Sequence, residues 1–91
     1  MQSPSQNIVF VGQKSPMSYA LATIIQFNRG TKEVTLKARG MSIAKAVDVV
    51  EIVKRRFMDR MVVQDVRIGT EMVGEGGNRR SVSTIEIKLS I

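Results

Sequence analysis

Hydrophobic and polar residues follow two different periods along this chain, and the changes between them divide it into six elements. The first element is the run Ile8 to Val11, which is β-branched and aromatic, apolar on both faces and ended by Gly12. Such a run predicts a short buried strand. The residues before it, MQSPSQ at positions 1–6, have no period and predict a flexible tail.

The second segment has the period of a helix. Ser15 is the predicted N-cap, with Pro16 in the first helical position, and Gly30 is the predicted left-handed residue after the last turn. The apolar residues at i, i+4, i+7 and i+8 predict one core-facing side: Met17, Leu21, Ile24 and Ile25.

Apolar and polar residues alternate strictly in EVTLKAR, Glu33 to Arg39. This pattern predicts a strand with one buried and one polar face. A second helix is predicted from an N-cap at Ser42 to about Phe57. Its predicted apolar face consists of Ile43, Ala46, Val47, Val50 and Phe57.

Two long strands end the chain, Val62 to Val73 and Ser81 to Ile91, and the glycine-rich turn GEGGNRR joins them. Twelve residues per arm at about 3.3 Å each give a ribbon of roughly 40 Å, so an arm is expected to project from the body. The predicted core residues of this hairpin are Val62, Val66, Ile68 and Met72, then Ile85, Ile87, Leu89 and Ile91.

The element order is therefore β-α-β-α-β-β. Right-handed crossovers place both helices on one face of the sheet. This predicts an α/β chain of the α+β two-layer type, with a mixed four-stranded sheet and a long C-terminal hairpin arm. The length allows one core, so residues 7–91 are predicted to form a single domain.

Composition argues against catalysis. The chain has no histidine and no cysteine, which removes the commonest general base and the usual metal ligands. Asp48 and Glu51 lie three residues apart among lysines and arginines, as surface ion pairs do, and nothing assembles a nucleophile, a base and an oxyanion hole. We therefore expect no enzyme, no metal, no cofactor and no small-molecule substrate.

Charge points to a polyanionic partner. Fourteen Lys and Arg against eight Asp and Glu give a net charge of +6. Such a field attracts nucleic acid first and an anionic membrane second, although it also serves solubility. No apolar run approaches the roughly 20 residues that span a bilayer, and no secretory signal opens the chain, so we expect an intracellular soluble protein without a membrane partner.

Three groups of basic residues are candidate contacts. Lys14 in GQKS stands beside a helix N-terminus, which favours anions, but GQKS lacks the glycines of a nucleotide-binding loop. Lys37 and Arg39 share the polar face of a strand. Arg79 and Arg80 lie at the hairpin turn, where an arginine can enter a minor groove. For each group an ordinary solvated surface remains the alternative.

Four motifs in register carry a family resemblance: VGQKSPMSYA, VTLKARG, IAKAVDVVEIVKRRF and VSTIEIKL. Over about Asn7 to Leu89 they closely resemble the Alba family of small archaeal chromatin proteins. The family fold is similar to the C-terminal domain of bacterial translation initiation factor three. The resemblance implies a dimer that coats and compacts double-stranded DNA with little sequence preference, also binds RNA, and lies in the cytoplasm on the chromosome.

The resemblance also implies roles for individual residues. Lys14 matches a loop lysine over the DNA backbone, and Arg39 matches the arginine of the KARG motif. Arg79 and Arg80 lie in the arm that reaches toward a minor groove. Phe57 matches a phenylalanine through which dimers touch along the duplex, whereas its own surroundings fit a core residue or an exposed anchor equally well.

Two positions depart from the family pattern. Gln13 stands where many members have a second loop lysine, and Met41 stands where members often have arginine. Each change removes a potential phosphate contact, so we hypothesise weaker DNA binding and a heterodimer with a more basic relative. Two alternatives stay open at this point: a protein acting mainly on structured RNA, and a dimerisation module whose charge is incidental.

Overall fold

The computed structural model describes residues 7–91, so the predicted tail at positions 1–6 lies outside the described residues. Within that range all six predicted elements are present. They are β1 (Ile8–Phe10), α1 (Pro16–Asn28), β2 (Glu33–Arg39), α2 (Ile43–Ile52), β3 (Val62–Val73) and β4 (Arg80–Ser90). A π-helical turn, Val53–Phe57, continues α2, and 3-10 turns occupy Gly40–Ser42 and Gly76–Asn78.

The four strands form one mixed sheet in the order β1-β2-β4-β3. β1 is parallel to β2, whereas β4 runs antiparallel to both of its neighbours. The helices cover one side of this sheet, and the other side, called the open face below, has no helical layer among residues 7–91. The predicted two-layer α+β architecture is confirmed.

The core lies between the helices and the central strands. β2 alternates as predicted, with Val34, Leu36 and Ala38 buried, and it pairs with the buried Ile87 and Leu89 of β4. Burial of a leucine side chain such as Leu36 stabilises the fold by roughly 1.5–3 kcal/mol. The two central strands therefore supply the inner wall of the core.

Helix α1 begins and ends where the sequence predicts, but its core-facing side is confirmed only in part, by Met17 and Ile24, which pack against the core. The Ser15 hydroxyl accepts from the Ser18 amide at 3.3 Å, and Gly30 has a φ of +99°. The buried residues are Ala20, Thr23 and Phe27, whereas Leu21 and Ile25 are about half exposed. The buried Thr23 hydroxyl donates to the Tyr19 carbonyl at 2.9 Å.

Helix α2 starts where predicted, directly after Ser42, but two details of the prediction are wrong. Ser42 has a helical backbone at the end of a 3-10 turn and its side chain makes no cap hydrogen bond. Val47 is about half exposed, while Val49 and Val53 are buried in its place. The end at Phe57 is confirmed, since the Met58 amide donates to the Val53 carbonyl at 2.8 Å.

The edge strands are more exposed than their apolar composition predicts. β1 has only β2 as a neighbour, and Phe10 on the open face is 70% exposed, so the prediction of a strand buried on both faces is wrong. In β3 a bulge lies between Val63 and Asp65. It shifts the alternation, so Val62, opposite Ser90, faces away from the side on which Val66 lies.

The remaining apolar residues of β3 form a surface rather than a core. Val66 pairs with the buried Ile87 and Ile68 with Ile85, so they lie on the helix side of the sheet. The helices do not extend over this edge, and Ile68 is 82% exposed. We call the exposed set Val66, Ile68 and Met72 the β3 apolar face.

The hairpin extends beyond the body. The principal extents are 46 × 32 × 21 Å and the radius of gyration is 14.0 Å, against about 12 Å for a compact domain of this length. Among residues 7–91, no helix combines the length and the apolar character that crossing a bilayer requires.

Candidate nucleic-acid interface

The candidate interface is a cleft at the carboxyl ends of β1 and β2. These strands are parallel, so the loop after β1 and the turn after β2 leave the sheet at the same edge, where ligands of open α/β sheets commonly bind. The start of β4 reaches the same edge, with Arg80 paired to Val73. Together these segments enclose a cleft of about 430 Å³.

Several residues that the sequence singled out meet at this cleft. Gln13, Arg39, Met41 and Arg80 all line it, although they come from three separate segments of the chain. Lys14 follows Gln13 in the loop and its side chain is exposed. The structure does not bring every candidate there. Lys37 lies two residues back along β2 on the open face, next to Glu86.

Arg79 and Phe57 lie apart from the cleft. Arg79 follows the 3-10 turn Gly76–Asn78 at the end of the hairpin, and it is exposed. Phe57 ends the π-helical turn and is 49% exposed, so it is neither a fully buried core residue nor a free surface side chain. Its contact with a second dimer stays a prediction.

The loop at residues 11–15, called the β1–α1 loop below, is bound on both sides. The Lys14 amide donates to the Tyr19 hydroxyl at 3.0 Å. The Lys45 ammonium donates to the carbonyls of Gly12 and Lys14 at 2.7 and 2.6 Å. The peptide groups of the loop therefore point inward, toward α1 and α2, and the Lys14 side chain is left in solvent.

These contacts alter the acidity of Tyr19. The hydrogen bond from the Lys14 amide lowers the pKa of the Tyr19 hydroxyl, because it stabilises the phenolate, and partial burial opposes this shift. A hydrogen bond from Gly12 and the positive charges of Lys45 and Lys14 lower that pKa further. Positive potential therefore concentrates around the β1–α1 loop.

The basic candidates differ in whether a carboxylate already neutralises them. Arg39 pairs with Glu71 at 2.7 Å and Lys37 with Glu86 at 3.6 Å. Within residues 7–91, no carboxylate lies within 4 Å of the charged groups of Lys14, Arg79 or Arg80. These last three cations are the ones whose charge is most available to a phosphate.

Sequence reasoning missed three residues that shape this site: Tyr19, Lys45 and Glu71. Tyr19 follows Lys14 by five residues, one turn into α1, and this spacing is a local signal that a hydroxyl can return to the loop. Lys45 and Glu71 act on residues more than thirty positions away, and no local pattern indicates those contacts.

Comparisons with known proteins find a family model and relatives that share one name. The family model described as Alba matches residues 7–70. A protein named DNA/RNA-binding protein Alba from Methanocella arvoryzae is 47% identical over 87 residues, covering 94% of this chain and 91% of that protein. DNA/RNA-binding protein Alba 1 from Archaeoglobus fulgidus is 48% identical over 86 residues, covering 94% and 97%.

Two solved structures have the same fold as this chain. Alba from Thermoplasma volcanium matches with a TM-score of 0.89 at 42% identity, over 93% of this chain and all of that one. ALBA1 from Trypanosoma brucei matches with a TM-score of 0.80 at 30% identity, over 93% of this chain and 68% of that one.

Proposed function

The chain belongs to the Alba family, and on this premise we propose that it is a double-stranded DNA-binding chromatin protein that acts through backbone contacts as a dimer. The observation that carries the proposal is the cleft at the carboxyl ends of β1 and β2. Charged or polar side chains from the loop, from β2 and from the start of the hairpin's second strand converge there. The net charge of +6 supplies the long-range attraction to a polyanion.

The proposed contacts divide by position. Lys14, beside the N-terminus of α1, binds phosphate, and Arg39 binds phosphate after it leaves Glu71. Arg80 at the cleft binds the backbone, and Arg79 at the end of the hairpin reaches outward to the minor groove, which attracts arginine. Phosphate contacts position the protein without reading sequence, so little sequence preference is expected.

The β3 apolar face supports dimerisation. Contiguous exposed apolar surface on a small protein usually marks an interface, and this face continues the core of the subunit at the sheet edge. We propose that a second copy covers it, or a more basic relative in a heterodimer. In that dimer Phe57 is the proposed contact between neighbouring dimers along DNA, so that arrays of dimers coat and compact the chromosome.

RNA is the second candidate ligand. Two relatives at 47–48% identity are named as DNA/RNA-binding proteins. Loop and arm contacts to phosphates serve either polymer, whereas the narrow major groove of an RNA duplex changes how the arms fit. Competition between a DNA duplex and structured RNA at equal salt decides which one the chain prefers. The proposed activity is binding, with no catalytic step.

The direct experiment is a salt titration of duplex binding by fluorescence anisotropy for the wild type and Lys14→Ala. The slope of log K against log salt is about −0.9 per phosphate neutralised. We expect Lys14→Ala to weaken binding and flatten the slope by roughly one unit per loop engaged. Lys32→Ala is the matched control, because Lys32 precedes β2 at the opposite end of the sheet. Unchanged affinity and slope for Lys14→Ala contradict the proposed contact.

A further inference from the structure

The backbone on both sides of Lys14 is held by side chains that do not belong to the loop. Its amide is bound by the Tyr19 hydroxyl at 3.0 Å, and its carbonyl is bound by the Lys45 ammonium at 2.6 Å. The same ammonium also binds the Gly12 carbonyl at 2.7 Å. Two of the three Lys45 donors are thus occupied by the loop.

Lys45 differs in this respect from the other basic residues near the cleft. It lies in the first turn of α2 and is partly buried, whereas Lys14 is exposed. For a phosphate to reach the Lys45 ammonium directly, the ammonium has to leave the Gly12 and Lys14 carbonyls. Charge-assisted hydrogen bonds of this kind are roughly twice as strong as neutral ones, so the loop competes well for it.

Without the ammonium, two consequences follow for the loop. The carbonyls of Gly12 and Lys14 lose their partner, so the inward orientation of these peptide groups is no longer stabilised. The loop also gains conformational freedom, which binding then has to remove before Lys14 can contact a phosphate. Both consequences weaken nucleic-acid binding even though Lys45 itself touches no nucleic acid.

We propose that Lys45 is a positioning residue, which holds the β1–α1 loop in the conformation that presents Lys14 to the nucleic-acid backbone. This inference rests on the proposed function, because it assigns Lys45 a role in that binding. It goes beyond the proposed contacts by naming a residue that acts on affinity only through another lysine.

A double-mutant cycle separates this role from a direct phosphate contact. Duplex affinity is measured across a salt series for wild type, Lys14→Ala, Lys45→Met and the double variant. We expect Lys45→Met to weaken binding roughly five- to tenfold, about 1–1.4 kcal/mol. In the Lys14→Ala background it should cost less than twofold, because the lysine that it positions is gone. Additive losses, with a further fall in salt slope of about 0.9, indicate a direct contact and overturn the proposal.

Two further variants serve as controls for this cycle. Lys45→Arg keeps a cation with several donors and is expected to recover most of the affinity, whereas Lys32→Met removes the same charge far from the loop and is expected to have little effect. If Lys45→Met does not fold, Lys45→Gln takes its place in every measurement. An unchanged affinity for the Lys45 variant also overturns the proposal.

A second readout needs no nucleic acid. Tyr19 is the only tyrosine and the chain has no tryptophan, so the ultraviolet absorbance of tyrosinate reports on this loop alone. Lys45→Met should raise the pKa of Tyr19, since it removes a nearby positive charge and loosens the loop that carries the Lys14 amide. Lys32→Met should not change that pKa. An unchanged pKa in Lys45→Met shows that the loop is not held by Lys45.

Binding and the Tyr19 pKa together distinguish failure of the proposed function from failure of the proposed role of Lys45. If Lys14→Ala leaves binding unchanged, the proposed loop contact fails, and a raised Tyr19 pKa in Lys45→Met then shows only that the ammonium lies near the phenol. If Lys14→Ala weakens binding while Lys45→Met changes neither affinity nor pKa, the proposed function stands and the role of Lys45 is wrong.

Discussion

Nη1 of Arg39 lies 2.7 Å from Oε1 of Glu71, although β4 separates their strands in the sheet. Both side chains are more than half exposed, so solvent screens the pair. Arg39 also lines the cleft, so under the proposed function the carboxylate and a nucleic-acid phosphate compete for one guanidinium. The pair therefore reduces the charge that the cleft presents before any ligand arrives.

Removal of this competitor should strengthen binding. Exposed ion pairs contribute about 0.2–1 kcal/mol, so Glu71→Gln is expected to raise duplex affinity by roughly 1.4- to fivefold and to steepen the salt slope. Glu33→Gln is the control, because it makes the same change in net charge at the opposite end of β2, where Glu33 lies 4.0 Å from Lys88. Weaker binding by Glu71→Gln means instead that Glu71 orients Arg39 for its contact.

The two residues that depart from the family pattern, Gln13 and Met41, can be replaced by the basic residues that other members have. Met41 is 97% exposed and lines the cleft beside Arg39 and Gln13. Met41→Arg and Gln13→Lys are each expected to raise duplex affinity and to steepen the salt slope by about 0.9 per new phosphate contact. The measurement is anisotropy at several salt concentrations. An unchanged slope in both variants contradicts the hypothesis that these positions weaken DNA binding.

Substitution of the two hairpin arginines, Arg79 and Arg80, should affect duplex binding in different ways. Arg80 lines the cleft, so Arg80→Ala is expected to weaken binding to all duplexes and to lower the salt slope. Arg79 lies past the cleft, so Arg79→Ala is expected to lose mainly the preference for A-tracts, whose narrow minor groove attracts arginine. Binding to A-tract and mixed-sequence duplexes of equal length tests this. Identical behaviour of the two variants contradicts the division of roles.

The β3 apolar face should control the oligomeric state. Ile68 is 82% exposed in one subunit, so Ile68→Asp is expected to leave the subunit folded and to separate a dimer into monomers. Val62 lies on the same strand but on the other side of the sheet, and Val62→Asp is the matched control. Sedimentation equilibrium gives the masses. A dimer that persists in Ile68→Asp places the interface elsewhere.

The hairpin turn holds Gly74 in a conformation and a space that exclude a side chain. Gly74 has a φ of +99°, and a Cβ atom there lies 2.5 Å from the Asn78 carbonyl oxygen. Gly74→Ala is therefore expected to destabilise the protein by about 1–3 kcal/mol. Gly77→Ala is the control, because nothing lies within 4 Å of its added Cβ. Thermal unfolding measures both, and similar stabilities for the two variants contradict this account of the turn.

The sequence by itself determined the element order, the start and end of α1, the buried face of β2 and the two long strands of the hairpin. These features depend on side chains within a few positions of one another. Ser15 caps a helix by binding the amide three residues later, and β2 alternates because neighbouring residues point to opposite sides of a sheet.

Only the tertiary structure decided which side of α1 is buried, where the bulge turns β3, and how the site is assembled. Leu21 and Ile25 have the spacing of a core face, yet the residues of α1 that packing buries are Ala20, Thr23 and Phe27. The pairs Arg39–Glu71 and Lys45–Gly12 join residues 32 and 33 positions apart. Such contacts depend on how whole strands and helices pack, which no local pattern of polar and apolar residues specifies.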